Sequence, residues 1–273
     1  MDDVVERVRK HYEAAGTDVA SKIAAYLADI DGSISAEAVA GIDQFHMGGL
    51  AATRELGRRL DLKPDMAVLD AGSGLGGPSR ELAAIYDCSV TGVDLAPGFV
   101  AASRLIAARS NLGDRVRYEV GDLTALRFAD ATFDAAYTQH VVMNIPDREN
   151  TYREVRRVLK PGASFGCYDV LAADDKPEPH YPVPWAEDAA TCFLLTEAET
   201  RTALETAGFV VAEWSDVTAL AMGWATQQQM LPTSRSANLG MVMGPRMAGM
   251  AANFMRNLGE GRLRLVMAVW TAI

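Results

Sequence analysis

Four polar positions stand at the ends of apolar runs, at spacings that suit the grip of a nucleotide-type ligand. Val68-Leu69 leads to Asp70 and then to the glycine-rich Ala71-Gly72-Ser73-Gly74-Leu75-Gly76-Gly77. Gly72 and Gly74 let a backbone approach a ligand that a Cβ would hold off. The run 89–93 leads to Asp94, 24 residues after Asp70. An acid ending the second strand of such a unit accepts hydrogen bonds from both hydroxyls of a ribose. The run 116–120 leads to Gly121-Asp122-Leu123. Asp122 suits the amino group of a base with Leu123 packing beside it, or else it caps the following turn. The run 133–138 leads to Gln139-His140. A lone glycine turn is weak evidence, and the ordered set carries the argument.

His140 is the first candidate for a base or orienting group, and His46 is the second. Each is equally suited to a plain ligand contact. Gln44 and His46 precede a helix expected from residue 50. They either pack and cap that loop or lie over a bound ligand. Tyr26, Met143, Tyr181, Trp185 and Met222 are the candidate substrate-lining residues. Tyr12 and Tyr26 are first expected to pack on the domain below. Eight of the twelve methionines fall from Met222 onward. Core packing is the default for them, and an accommodating apolar pocket is the sharper reading.

These residues need an alternating scaffold. Apolar runs predict strands over 65–70, 89–94, 116–120, 133–140 and 162–170, with helices over 50–60, 97–110 and 148–159. Lys160-Pro161-Gly162 reads as a helix stop. Alternation of this kind predicts a parallel sheet covered on both faces. Residues 1–31 read as helical with a break at Gly16-Thr17, and Arg104 and Arg109 read as facing solvent. The proline-rich segment 172–192 is too broken for a helix or central strand. Thr196 and Glu199 form a capping signature for a helix to about Ala207. A strand follows over 209–216, irregular or helical structure over 217–240, a helix over 245–259 and an apolar last strand over 262–271.

The 273 residues are 49% hydrophobic, so a substantial core is expected. A formal net charge of −10 argues against a nucleic-acid surface. The N-terminus lacks a secretory pattern, and no stretch reaches the length of an apolar membrane span. Three distant cysteines without metal-ligand spacing fit a reducing, cytoplasmic setting. No metal site is expected.

The 70–77 loop, Asp94, the Gly121-Asp122-Leu123 turn and the Lys160-Pro161-Gly162 stop resemble the class I S-adenosylmethionine-dependent methyltransferases. The segment 43–49 and Tyr181-Pro182-Val183-Pro184-Trp185 resemble the sarcosine and dimethylglycine N-methyltransferase type and the related sterol and tocopherol enzymes. The resemblance implies an α/β, Rossmann-like seven-stranded sheet, mostly parallel, with helices on both faces. Its last strand is antiparallel and inserted between its neighbours. It further implies an N-terminal helical cap and lid over 1–45 and a core over 46–273, with substrate-covering insertions at about 172–192 and 217–245. S-adenosylmethionine is the implied cofactor. By this resemblance Asp70 orients the loop and the amino acid end of the cofactor, with Gly72 and Gly74 beside it. Asp94 holds the ribose, with Leu95 against the adenine. Asp122 and Leu123 bind the base, and Gln139 and His140 lie near the methionine part. The implied partner is a small-molecule acceptor methylated on nitrogen or carbon. Methylation on oxygen is an alternative, as is a nicotinamide-dependent dehydrogenase or a noncatalytic ligand-binding relative. No arginine cluster marks the insertion for a small carboxylate. A monomer and a homodimer both fit.

Overall fold

The chain alternates helix and strand through most of its length. In order, the elements are α1 (Asp2–Glu13), α2 (Val19–Ala28), α3 (Ala36–Asp43), α4 (Gly49–Arg59), β1 (Ala67–Ala71), α5 (Gly77–Tyr86), β2 (Ser89–Asp94), α6 (Pro97–Ala107) and β3 (Val116–Val120). There follow β4 (Phe133–Gln139), α7 (Arg148–Val158), β5 (Leu159–Ala172), α8 (Glu197–Thr206), β6 (Phe209–Asp216), α9 (Thr218–Met230), α10 (Leu239–Met243), α11 (Met247–Gly259) and β7 (Leu263–Ala272). The computed structural model describes residues 2–13, 19–230 and 239–273. The expected break at Gly16-Thr17 lies outside the described residues.

The strands form one seven-stranded sheet in the order β3-β2-β1-β4-β5-β7-β6. β1 through β5 pair in parallel, and β7 runs antiparallel to both β5 and β6. The expected inserted last strand is therefore present. Both faces of β7 are covered, and Leu265, Met267, Ala268 and Trp270 are fully buried. One apolar cluster gathers Leu56, Val68, Leu82 and Tyr168, and a second gathers Leu69, Phe133, Phe165 and Trp270. Successive residues of β1 thus pack on opposite faces.

Three details depart from the sequence reading. Helix α3 was not foreseen; Ser35 caps it by accepting from the Ala38 amide. Strand β5 begins at Leu159, so Lys160-Pro161-Gly162 lies within it. Phe133 pairs with Leu159 and Ala135 with Ser164, so the residues between form a bulge. Arg104 and Arg109 do not simply face solvent. Arg104 donates twice to the Tyr118 carbonyl. Arg109 donates to the carbonyls of Leu27, Ile30 and Gly32, tying α6 to the end of α2.

The N-terminal helices join the sheet through a buried ion pair. Arg80 on α5 meets Asp43, the last residue of α3, at 2.6 Å. Both side chains are almost wholly buried, and Arg80 also donates to the Leu75 carbonyl at 2.8 Å. Removing one member of such a pair strands the other charge in a dry interior. Arg80→Leu should therefore lower the unfolding free energy by about 3–5 kcal/mol. Arg58→Ala breaks the exposed pair with Glu55 and should leave stability nearly unchanged. Urea denaturation of the two variants checks the contrast.

Candidate functional site

β1 and β4 are neighbours whose connections leave for opposite sides of the sheet, and a crevice opens beyond their carboxyl ends. A cavity of about 370 Å³ occupies it. The glycine loop forms its floor. Amides of Gly72 and Ser73 both donate to the Val93 carbonyl, at 2.8 and 3.0 Å, which pins the loop to β2. Gly72 has φ +90°, and a Cβ there would lie 2.4 Å from Val141. Gly76 has φ +73°, and a Cβ there would strike the Tyr118 ring. Both positions therefore require glycine.

Asp70 is buried below the loop and accepts from Ser79 Oγ at 2.5 Å. Burial pushes its carboxyl up to about 7, against the pull of that hydrogen bond. Asp94 accepts from the Gly74 amide at 2.8 Å and from the Ala96 amide at 2.9 Å. Its carboxyl is also raised, by burial first, with the two amides opposing. Asp122 takes the capping role and also faces the cavity. One oxygen caps the next turn, accepting from Thr124 N and Oγ1 at 2.8 Å each, while the residue also lines the cavity. Leu95, Leu123, Gln139 and His140 complete the wall.

Several residues of this wall carry buried polar atoms without partners: Ser73 Oγ, which lies against Gly92, both amide atoms of Gln139, and His140 Nε2. Buried polar groups are nearly always satisfied in folded proteins. Four such atoms around one cavity suit a polar ligand there.

Helix α1 roofs the cavity with Val5, Val8 and Tyr12. Their spacing of three and four places them on one face. Tyr12 donates to Asn144 Oδ1 at 2.7 Å, and Asn144 Nδ2 donates to the carbonyls of Trp185 and Thr191. His11 Nε2 lies 2.9 Å from the Pro184 carbonyl. The N-terminal helix, the turn after β4 and the proline-rich segment are thus stitched together.

A second cavity of about 190 Å³ adjoins the first. Its walls come from Met47, Met143, Trp185, Met243, Phe254 and their neighbours. Tyr12, Phe45, His46 and His140 line both cavities and form the wall between them. His46 Nε2 lies 3.1 Å from the Gly49 carbonyl and 3.1 Å from Thr53 Oγ1. Thr53 spends its own proton on Gln44 Oε1. His46 Nε2 therefore carries the hydrogen, which leaves Nδ1 with the lone pair. The rings of His46 and His140 are 6.2 Å apart, and His140 lies 4.7 Å from Tyr168.

Most of the sequence candidates converge here. Asp70, Gly72, Gly74, Asp94, Leu95, Asp122, Leu123, Gln139, His140 and His46 line the first cavity, and Met143 and Trp185 the second. Four candidates lie elsewhere. Gln44 turns away to Thr53 and Asp43, and its neighbour Phe45 faces the cavity instead. Tyr26 donates to the Ala38 carbonyl among the N-terminal helices. Tyr181 and Met222 pack against the main core cluster without lining either cavity. The sequence reading missed Phe45, Asn144 and Phe254. For Tyr12 packing is the first expectation and pocket lining the alternative, and the structure places it on both cavities.

The comparisons agree with this geometry. Residues 69–167 match the methyltransferase domain family. A sterol 24-C-methyltransferase of Gibberella zeae is 38% identical over 119 residues, which are 44% of this chain and 31% of that protein. The chain thus matches about a third of the length of these curated relatives. Among solved structures, the geranyl diphosphate C-methyltransferase of Streptomyces coelicolor aligns with TM-score 0.73 at 16% identity, over 99% of this chain and 98% of that one. That structure holds Mg²⁺, geranyl-S-thiolodiphosphate and S-adenosyl-L-homocysteine. The [4+2]-cyclase SpnF aligns with TM-score 0.65 at 22% identity, over 93% of each chain. Residues 69–167 of this chain thus resemble a methyltransferase domain, and they lie on a Rossmann-like sheet.

Burial pushes the His46 imidazole down to about 4. Burial, and His46 beside it, push His140 well below its ordinary value. Each ring is neutral when folded and takes up a proton near pH 6.5 once unfolded. Stability from this source is full above pH 6.5 and is lost as the pH falls toward 4. Asp70 and Asp169, both pushed up to about 7 by burial, act in the opposite sense. Comparing slopes therefore isolates the histidine. Between pH 7 and pH 5 the wild type should lose about 2 kcal/mol more than His46→Gln. Denaturant midpoints at the two pH values measure it.

Proposed function

We propose that the protein transfers a methyl group from S-adenosylmethionine to carbon or nitrogen of a small molecule. The observation that carries this reading is the wall shared by the two cavities. A donor in the first and an acceptor in the second would meet beside Tyr12, Phe45, His46 and His140, which line both. The unpartnered atoms of Ser73 and Gln139 suit the polar amino acid part of such a donor. Asp94, at the carboxyl end of β2, suits its ribose. The sterol and geranyl diphosphate enzymes among its relatives, both named as C-methyltransferases, support the reaction class.

The donor's sulfonium supplies an already activated methyl group, so the chain's work is alignment and exclusion of water. Tyr12 and Asn144 hold α1 down over the first cavity. His140 orients the acceptor and does not store a proton, because its buried ring resists becoming charged. That feature favours carbon or neutral nitrogen over a hydroxyl, which gains more from a base. In this reading residues 1–45 are the cap and lid and residues 46–273 the core. The segments 172–192 and 217–245 cover the acceptor, as Trp185, Ala225 and Met243 in the second cavity support. No described helix is long and apolar enough to cross a membrane. The free cysteines Cys88, Cys167 and Cys192 support a reducing, cytosolic setting.

Asp94→Ala should weaken S-adenosylhomocysteine binding at least about tenfold, a loss typical of one charge-assisted contact. Isothermal titration calorimetry reads it, and unchanged affinity sinks the ribose assignment. Tighter binding of a nicotinamide dinucleotide would instead restore the dehydrogenase reading. Labelled S-adenosylmethionine, offered with a mixed acceptor pool, tests the transfer itself. Donor binding without label transfer would favour a noncatalytic or cyclase-like role on the same fold.

A further inference from the structure

We infer that the second cavity takes an uncharged, largely apolar acceptor, held by one neutral polar group such as a hydroxyl at His140 Nε2. This inference rests on the methyl-donor reading and names the acceptor class for the same site. Among the described residues, no Lys, Arg, Asp or Glu lines the cavity. Its wall is thioether, aromatic ring and alkyl, with Met47, Met143, Met243, Met247 and Met255 around Trp185 and Phe254. A phosphate or carboxylate buried there would find no counter-charge among the described residues, and an unpaired buried charge is strongly disfavoured. Nor do the described residues bring together three side chains of the His, Cys, Asp and Glu type that could hold a metal ion beside a diphosphate.

The polar atoms of the cavity narrow the choice further. Tyr12 Oη is spent on Asn144, His46 Nε2 on Gly49, and Trp185 Nε1 on Cys192 Sγ at 3.3 Å, while His46 Nδ1 keeps a lone pair that can only accept. His140 Nε2 is buried on the shared wall with no partner, and the residue is only 9% exposed. An unpartnered atom at that depth costs stability unless a ligand satisfies it. A neutral imidazole nitrogen offers one hydrogen bond and no charge. It therefore matches a hydroxyl better than an anion. Flexible thioethers around it adapt to a bulky hydrocarbon frame.

The test uses protein loaded with S-adenosylhomocysteine, whose binding is confirmed first by calorimetry. Failure of that binding rejects the methyl-donor reading and not the acceptor class alone. Matched probes are then titrated: geraniol against geranyl diphosphate with Mg²⁺, and 2-naphthol against 2-naphthoate. The alcohol of each pair should bind at least about tenfold tighter than its charged partner. His140→Phe should erase about tenfold of geraniol affinity while leaving geranyl methyl ether within about twofold. Ala251→Arg places a cation in the wall and should shift each preference toward the anion. Equal or tighter binding of the charged members overturns the inference. So does failure of both alcohols to bind the loaded protein, or an undiminished geraniol affinity in His140→Phe.

Discussion

The constraint on which the site depends is the parallel pairing of β1 with both β2 and β4. A central parallel strand buried on both faces can present polar groups only where it ends. Asp70 lies at that point, next to the last residue of β1, and Asp94 ends β2. Gln139 ends β4. The crossovers on either side of β1 leave for opposite faces, so neither crossover covers the carboxyl ends between them. The glycine loop can then lie flat against β2, held by the Val93 carbonyl, and the crevice stays open to a ligand.

The second requirement is that the cap be fixed to this sheet. The Asp43–Arg80 pair joins α3 to the helix that begins at the glycine loop. Arg80 also holds the Leu75 carbonyl of that loop, so one guanidinium serves cap and floor together. Asp43 immediately precedes Gln44, Phe45 and His46. Their alternate facing, with Gln44 inward to Thr53 and Phe45 and His46 toward the cavity, follows from where α3 ends. Tyr12 and His11 tie the outer helix by hydrogen bonds to Asn144 and to the Pro184 carbonyl. Such bonds are worth about 1 kcal/mol each, less than the buried ion pair beneath them.

The donor cavity was legible in the sequence because its residues are fixed by strand ends. An acid after an apolar run has one place to go in a covered parallel sheet, so Asp70, Asp94 and Asp122 were found together. The acceptor cavity was legible only as an excess of methionine. Met47, Met143, Trp185, Met243 and Phe254 come from distant segments, and an apolar side chain does not announce which void it faces. Tyr12 and Tyr26 had similar helical spacing. What separates them is the placement of α1 over the crevice and of α2 against α6, which is a tertiary fact. Gln44 was chosen over Phe45 because α3 was not foreseen, and the end of that helix sets which neighbour faces inward. Arg104 and Arg109 were read as solvent-facing because their partners are carbonyls at the ends of other elements, invisible to local pattern.

The electrostatics of the shared wall follow from the same burial. Two histidines stand 6.2 Å apart with no carboxylate in hydrogen-bond contact with either ring. Were either protonated, it would repel both its neighbour and a cationic sulfonium brought to the same wall. Burial prevents this by holding both rings neutral, and the Gly49 carbonyl fixes the proton of His46 on Nε2. The proposed reaction begins with one positive charge and spreads it between donor and acceptor. A dry wall of rings and thioethers costs little for such a dispersal of charge, and it excludes water as a competing acceptor. An anionic acceptor would instead require a counter-ion that the described wall does not supply. Neutral histidines and apolar walls are therefore two consequences of one choice: to place the junction of the two cavities inside the core, away from the solvent edge.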